Sequence, residues 1–213
     1  MYSRHKNAPI APAAAGFRYL PGRLGAPEQA LLLAEIRAVI RRAPLFVPAM
    51  PRSGRPFSVR MSNCGTLGWV SDQGGGYRYQ ARHPQTGQRW PPIPPRLLAL
   101  WDAVAAGAPR PEACLINYYA EGAKMGTHRD ADEEHRSAPV VSISLGDEAI
   151  FHIGGQARSD PRLRLLLRSG DVVVLAGLAR HAYHGVDRIK PGTSALLAEG
   201  GRLNLTLRRV RAA

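Results

Sequence analysis

Two histidines, one aspartate and a spaced pair of arginines are the side chains here with chemistry to offer. The stretch Met125–His135, MGTHRDADEEH, packs four carboxylates and two histidines into its last eight residues, although the chain as a whole is strongly basic. In an extended segment alternate side chains share a face, so His128 and Asp130 point the same way while Arg129 points away. An imidazole and a carboxylate on one face make half of a metal site. A later histidine could complete it, and His181 and His184 follow an apolar run in RHAYHGV. Two imidazoles and one carboxylate on one side of an ion leave coordination positions open, which suits Fe(II) oxygen chemistry. A zinc hydrolase can use the same three groups with water in the open position. A solvated acidic loop would account for the run by itself.

The stretch Arg202–Arg208, RLNLTLR, alternates strictly. Leu203, Leu205 and Leu207 form one face; Arg202, Asn204, Thr206 and Arg208 form the other. The plain reading is an edge strand with its polar face in water. Two arginines flanking an amide are also well built to hold a small dicarboxylate, because guanidinium pairs with carboxylate as a bidentate fork. Asn117 and Tyr119 share a face in INYY, just ahead of His128, and could add neutral donors to the same acid. A facial triad beside a dicarboxylate pocket implies 2-oxoglutarate, an acid that can chelate iron through its keto end.

These groups need a scaffold. Residues 1–20 read as a loose arm. Pro27-Glu28 opens an apolar pattern at helical spacing (Leu32, Leu33, Ile36, Val39, Ile40) that Arg41-Arg42 and Pro44 close. A second helix carries Leu97, Leu98, Trp101 and Val104 on one face and ends at Gly107. Between the two, Phe46 to Trp90 reads as short strands and turns around Gly74-Gly75-Gly76. After Pro111 the texture is β, with runs at Cys114–Tyr119, Val140–Leu145, Ala149–Ile153, Arg164–Leu167, Asp171–Leu175, Ala195–Leu197 and Arg202–Arg208. Many short strands at this spacing predict a sandwich or barrel. With two helices in front, the fold class is α+β: a jelly-roll β core backed by two N-terminal helices.

Composition narrows the partners. The chain has 213 residues, enough for one catalytic domain, read as 21–213. Lys and Arg outnumber Asp and Glu 29 to 16, a net charge of +13. Such a surface attracts polyanions, of which nucleic acid is the commonest. The two cysteines, Cys64 and Cys114, have no metal-type spacing and make no disulfide framework, so a reducing cytoplasm is expected. Pro9 and Pro12 break the N-terminal apolar stretch, a poor signal peptide, and no run is long enough to span a membrane. A monomer is the default expectation.

The ordered segments INYYAEGAKMGTHRDADE, PVVSISLGDEAIFHIGG, RSDP, SGDVVVLAGLARHAYHGV and RLNLTLRR together resemble the AlkB family of Fe(II)/2-oxoglutarate dioxygenases. Upstream, MSNCGTLGW and YRYQARHPQTGQRWPPIP are similar to that family's substrate-recognition segment, which makes 45–90 a nucleotide-recognition lid over a double-stranded β-helix core at 111–213. The resemblance implies His128, Asp130 and His184 as Fe(II) ligands, and Asn117, Tyr119, Arg202, Asn204 and Arg208 as contacts to 2-oxoglutarate. It implies Trp69, Tyr77, Arg78, Tyr79, Asp132 and Arg158 as the nucleotide surface, with Asp132 reading the exocyclic amine of the damaged base. The expected reaction consumes O2 and removes N-methyl groups from bases of the 1-methyladenine and 3-methylcytosine type, releasing formaldehyde, CO2 and succinate. The substrate would be single-stranded or flipped-out DNA, with RNA left open. Glu133, Glu134 and His135 are expected in solvent and His181 as a non-ligand. Leu175 and Ala182 depart from the bulky aromatics expected near the iron. Competing readings are a 2-oxoglutarate hydroxylase of a protein or small metabolite, and a metal-free jelly-roll binding module.

Overall fold

The computed structural model describes residues 15–212. The strands are β1 (Phe17–Leu20), β2 (Arg60–Gly65), β3 (Gly68–Asp72), β4 (Gly76–Gln80), β5 (Ala113–Tyr119), β6 (Met125–His128), β7 (Val140–Gly146), β8 (Glu148–Ile153), β9 (Leu163–Leu167), β10 (Val172–Leu175), β11 (His184–Lys190) and β12 (Arg202–Arg208). Two α-helices, α1 (Ala26–Arg42) and α2 (Pro95–Val104), precede β2 and β5 respectively, and a 3-10 turn spans Gly177–His181.

Three sheets result. The large one runs β1-β10-β7-β12-β5-β2, the smaller β6-β11-β8-β9, and β3 pairs with β4 as a separate hairpin. Their ladders are antiparallel. Four strands of each of the first two sheets face one another as a jelly roll, with β1 and β2 extending the large sheet.

The large sheet is buried on both sides, which explains the nearly continuous apolar runs in its strands. One face packs on Leu32, Ile36, Leu97 and Trp101 of the helices, meeting Ile116, Val141, Ile143, Leu203, Leu205 and Leu207. The other meets the small sheet through Leu115, Val140, Val173, Leu175, Phe151, Ile153 and Val186. Removing this much apolar surface from water is the main force holding the layers together. Both helices carry a proline in the first turn, Pro27 in α1 and Pro95 in α2, and Glu28 accepts the Gly25 N–H at 2.8 Å at the start of α1.

Several expectations change. Residues 1–14 of the expected arm lie outside the described residues, but Phe17–Leu20 is a strand registered against Val172–Leu175, not loose chain. In α2 it is Leu100, not Leu98, that joins Leu97, Trp101 and Val104 in the core. Ala195–Leu197 is not a strand: Asp147 accepts the backbone N–H groups of Thr193, Ser194 and Gly201, curling that segment into a loop. β12 is no edge strand; it sits between β7 and β5 with both faces covered. The expected lid is also divided, because β2 belongs to the large sheet and only the β3–β4 hairpin stands apart. Among the described residues no helix is long and apolar enough to cross a membrane.

Candidate active site

Pairing of β6 with β11 sets His184 directly opposite His128. The chain then turns after β6 and brings Asp130 between them. Asp130 Oδ1 lies 3.8 Å from His128 Nε2, and Asp130 Oδ2 lies 3.9 Å from His184 Nε2. The three donor atoms fall within 4.8 Å of one another, the span of a single metal ion's ligands. Each ring is oriented by its far nitrogen: His128 Nδ1 donates to Gly126 O at 2.9 Å and His184 Nδ1 to Ala182 O at 3.0 Å. Both Nε2 lone pairs are thereby left for the shared centre.

Electrostatics favour the same use. Burial, then the neighbouring His128, push the His184 imidazole down to about 4, so it is neutral at physiological pH. Burial opposes the charge on Asp130, but Arg208 and the two imidazoles outweigh it and hold the carboxyl well below the ordinary range. Asp130 Oδ2 is buried without a hydrogen-bond donor. Leaving a carboxylate oxygen bare is costly unless a cation completes it, so these residues fit a metal ion.

A second demand for a ligand comes from β12. The register opposes Arg202 to Tyr119 and Asn204 to Asn117. Arg202 is 1 % exposed, donates to Ser144 Oγ at 2.9 Å, and keeps Nε and Nη1 without acceptors. Among the described residues no carboxylate forms an ion pair with it. Burial lowers its pKa, the mark of a cation short of counter-charge. Asn117 Oδ1 is likewise unpartnered, and Arg202 lies over the Tyr119 ring at 5.5 Å. A small dianion would satisfy the two free Arg202 nitrogens, whereas Asn117 Oδ1, an acceptor, calls for a donor. Asn204 is tied to Ser142, Ile143 and Thr206, which fixes the floor of the slot.

One cavity of about 260 Å³ joins the pieces. His128, Asp130, His184, Asn117, Tyr119, Arg202, Asn204 and Arg208 line it, together with Trp69, Tyr77 and Asp132 at the hairpin side. Trp69 stacks on Tyr77 (5.6 Å, 24°) and donates its indole N–H to Asp132 Oδ2 at 2.8 Å. Three expected nucleotide residues are not on this lining. Arg78 faces away, paired with Asp72 at 2.7 Å across the hairpin turn. Tyr79 donates to Glu133 at 2.6 Å, and Arg158 lies over Tyr183 while donating to Thr127 O. Leu175 lines the cavity, whereas Ala182 is packed in the core and His181 ends the 3-10 turn outside the triad.

Glu133 is the clearest correction. It is 3 % exposed, not in solvent, and meets Arg180 Nη2 at 2.9 Å and Arg208 Nε at 3.3 Å. Two buried guanidinium groups require an anion, and Glu133 supplies it. Glu134 is exposed and His135 half-buried. Arg180 itself, which also donates to Asp130 O at 2.9 Å, was not singled out by the sequence pattern. Its place in RHAYHGV, away from the polar alternation of β12, gave no sign of it.

Comparison with known proteins agrees with this geometry. A family model described as the 2OG-Fe(II) oxygenase superfamily matches residues 16–208. The chain is 50% identical over 198 residues to an alpha-ketoglutarate-dependent dioxygenase AlkB homolog of Caulobacter vibrioides, covering 93% of this chain and 89% of that protein. Over 83 residues it is 48% identical to the DNA N(6)-methyladenine demethylase ALKBH1A of Arabidopsis thaliana, covering 39% of this chain and 24% of that one. Among solved structures, one titled "The structure of OsALKBH1" matches with a TM-score of 0.78 and 30% identity, over 91% of this chain and 96% of that chain. Fold and site thus define a 2-oxoglutarate- and Fe(II)-dependent oxygenase. Within that superfamily the chain belongs to the AlkB family of dioxygenases, whose cofactor is Fe(II) and whose co-substrates are 2-oxoglutarate and O2.

Proposed function

We propose that this enzyme oxidatively demethylates N-alkylated bases in nucleic acid, with 1-methyladenine and 3-methylcytosine as the substrate type and single-stranded or flipped-out DNA as the first polymer to test. RNA is the second polymer to test. The carrying observation is that one cavity holds the metal triad, a buried arginine lacking a counter-ion, and a stacked Trp–Tyr pair next to a carboxylate. The net charge of +13 supports a polyanionic substrate.

In this reading His128, Asp130 and His184 hold the ferrous ion. Arg202, with Asn117 and Tyr119, receives the distal carboxylate of 2-oxoglutarate, and Arg208 stands at the chelating end. Iron with that acid bound supplies the oxidant that hydroxylates the N-methyl group, with O2 and 2-oxoglutarate consumed and CO2 and succinate formed. The hydroxymethyl product then loses formaldehyde. The remaining work belongs to the chain's own residues. Trp69 and Tyr77 offer aromatic faces to a base removed from its stack, worth roughly 1–3 kcal/mol per base. Asp132, held by the Trp69 indole, presents a carboxylate that favours a cationic methylated base over its neutral counterpart.

The test is demethylation of matched methylated DNA and RNA oligonucleotides with Fe(II), ascorbate and 2-oxoglutarate, reading formaldehyde and repaired base. Turnover that falls steeply with salt supports the reading. Consumption of 2-oxoglutarate with every methylated oligonucleotide left intact would transfer the enzyme to a protein or metabolite substrate.

A further inference from the structure

Both ladders that flank β11 are interrupted beside the metal triad. Between β6 and β11 the register slips after the His128–His184 pair, so Gly126 and Thr127 oppose the single residue Gly185 before Met125 meets Val186. Between β11 and β8 it slips again, with Asp187 as the extra residue between the Val186–Phe151 and Arg188–Ile150 pairs. Such bulges disrupt the ladder locally and re-aim the side chains they carry.

A line of side chains crosses both interruptions. Thr127 Oγ1 lies 3.0 Å from His152 Nε2, and His152 Nδ1 lies 2.7 Å from Asp187 Oδ1. Arg164 Nε donates to the other oxygen of Asp187 at 3.0 Å. An ionised Asp187 only accepts, so Nδ1 carries the ring proton and Nε2 accepts from the Thr127 hydroxyl. The His152 ring is 2 % exposed and lies across Gly185, where a Cβ would come within 2.8 Å of its Cε1 and 3.0 Å of its Nε2. Glycine immediately after His184 is therefore what lets this imidazole reach from β8 over β11 to β6. Arg158 also holds Thr127, donating to its carbonyl O at 2.8 Å.

We propose that His152, oriented by Asp187 and acting through Thr127, is a positioning residue that fastens the end of β6 where its ladder is interrupted, and so presents His128 and Asp130 to the ion. The inference rests on the metal-triad reading above. None of the three is a ligand of that triad; their effect is to spare the ion the cost of ordering the strand that delivers two of its ligands.

The experiment is anaerobic titration of the metal-free full-length chain with Co(II) in the presence of 2-oxoglutarate, followed by visible absorption. Thr127→Val removes the hydroxyl at nearly constant shape, Thr127→Ser keeps it, and His152→Leu removes the acceptor. Thr127→Val and His152→Leu should each weaken Co(II) binding by about 10- to 100-fold. The double variant should bind no worse than His152→Leu alone, Thr127→Ser should bind as the parent does, and the metal-free melting temperature of Thr127→Val should fall by no more than about ten degrees. Parental affinity in Thr127→Val, or losses that add in the double variant, would overturn the proposal. If His152→Leu does not fold, the Thr127→Val and Thr127→Ser pair decides the matter alone. A parent chain that binds no Co(II) would instead overturn the triad reading itself, and this inference with it.

Discussion

Arg208 grips the same carboxylate that sits between the two metal-site histidines: its Nη2 lies 2.9 Å from Asp130 Oδ1, with both side chains 8 % exposed. Arg202, six residues earlier on the same strand, has no such partner among the described residues. The two arginines should therefore respond in opposite ways to removal. Arg208→Ala strands Asp130 as a buried anion, leaves Glu133 to Arg180 alone, and should cost about 3–5 kcal/mol of folding stability. Arg202→Met replaces an uncompensated buried charge with an apolar side chain of similar length. It should leave metal-free stability equal to or above the parent's while abolishing 2-oxoglutarate binding. Urea unfolding and 2-oxoglutarate titration of both variants check this; a strongly destabilised Arg202→Met contradicts it.

Acid should weaken the metal-free protein from just below neutrality. The unfolded chain protonates His184 near pH ~6.5, whereas the folded chain resists until about 4. Between those values only the unfolded state gains the proton. The contribution is thus intact at neutral pH, falls as pH drops through this window, and levels off below it. Its size is on the order of 3 kcal/mol. Burial shifts His152 in the same direction, so it adds to the same slope. Thermal unfolding in a chelator from pH 7 to 4 should show the loss, and His184→Gln should flatten it. An unchanged slope in that variant would remove His184 as its source.

Asp132 should discriminate substrates without touching metal. Asp132→Ala deletes a charge-assisted acceptor and should lower kcat/KM on methylated oligonucleotide roughly ten- to hundred-fold, while Co(II) affinity stays at the parental value. Equal activity would strip Asp132 of its role. Because Trp69 donates to the same oxygen, Trp69→Phe is the companion variant, keeping an aromatic face but freeing Asp132.

Neighbouring glutamates should behave quite differently. Glu133→Ala leaves Arg180 and Arg208 without their shared anion and should destabilise by about 3–5 kcal/mol. Glu134→Ala, at an exposed position, should stay within about 0.5 kcal/mol. Chemical denaturation of the two variants checks the contrast, and equal effects would refute it.

That contrast shows where sequence reading succeeds and where it stops. The alternation of Arg202–Arg208 revealed which four side chains share the polar face, because strand geometry allows no other arrangement. It could not reveal that this face looks inward, since burial depends on β5 and β7 arriving from elsewhere in the chain. His128 and Asp130 were legible as a local pair. β6 and β11 were not legible as strands, since glycine, bulges and polar residues hide the period. Glu133 was misjudged because a run of acids reads as solvated until the arginines that neutralise it, 47 and 75 residues further along, are brought alongside.

Among the described residues the β3–β4 hairpin shares no strand ladder with the other two sheets and is tied to β2 through Asn63, whose side chain bonds the Trp69 N–H and O, whereas Arg202 and Arg208 stand on a strand at the heart of the jelly roll. Mutation at Trp69 or Tyr77 should therefore leave the metal triad in place, whereas Tyr79, through its bond to Glu133, couples the hairpin to Arg208. Exchange of residues 68–80 between relatives, with Tyr79 kept, should therefore alter which bases are accepted, and drift in β12 should cost turnover altogether.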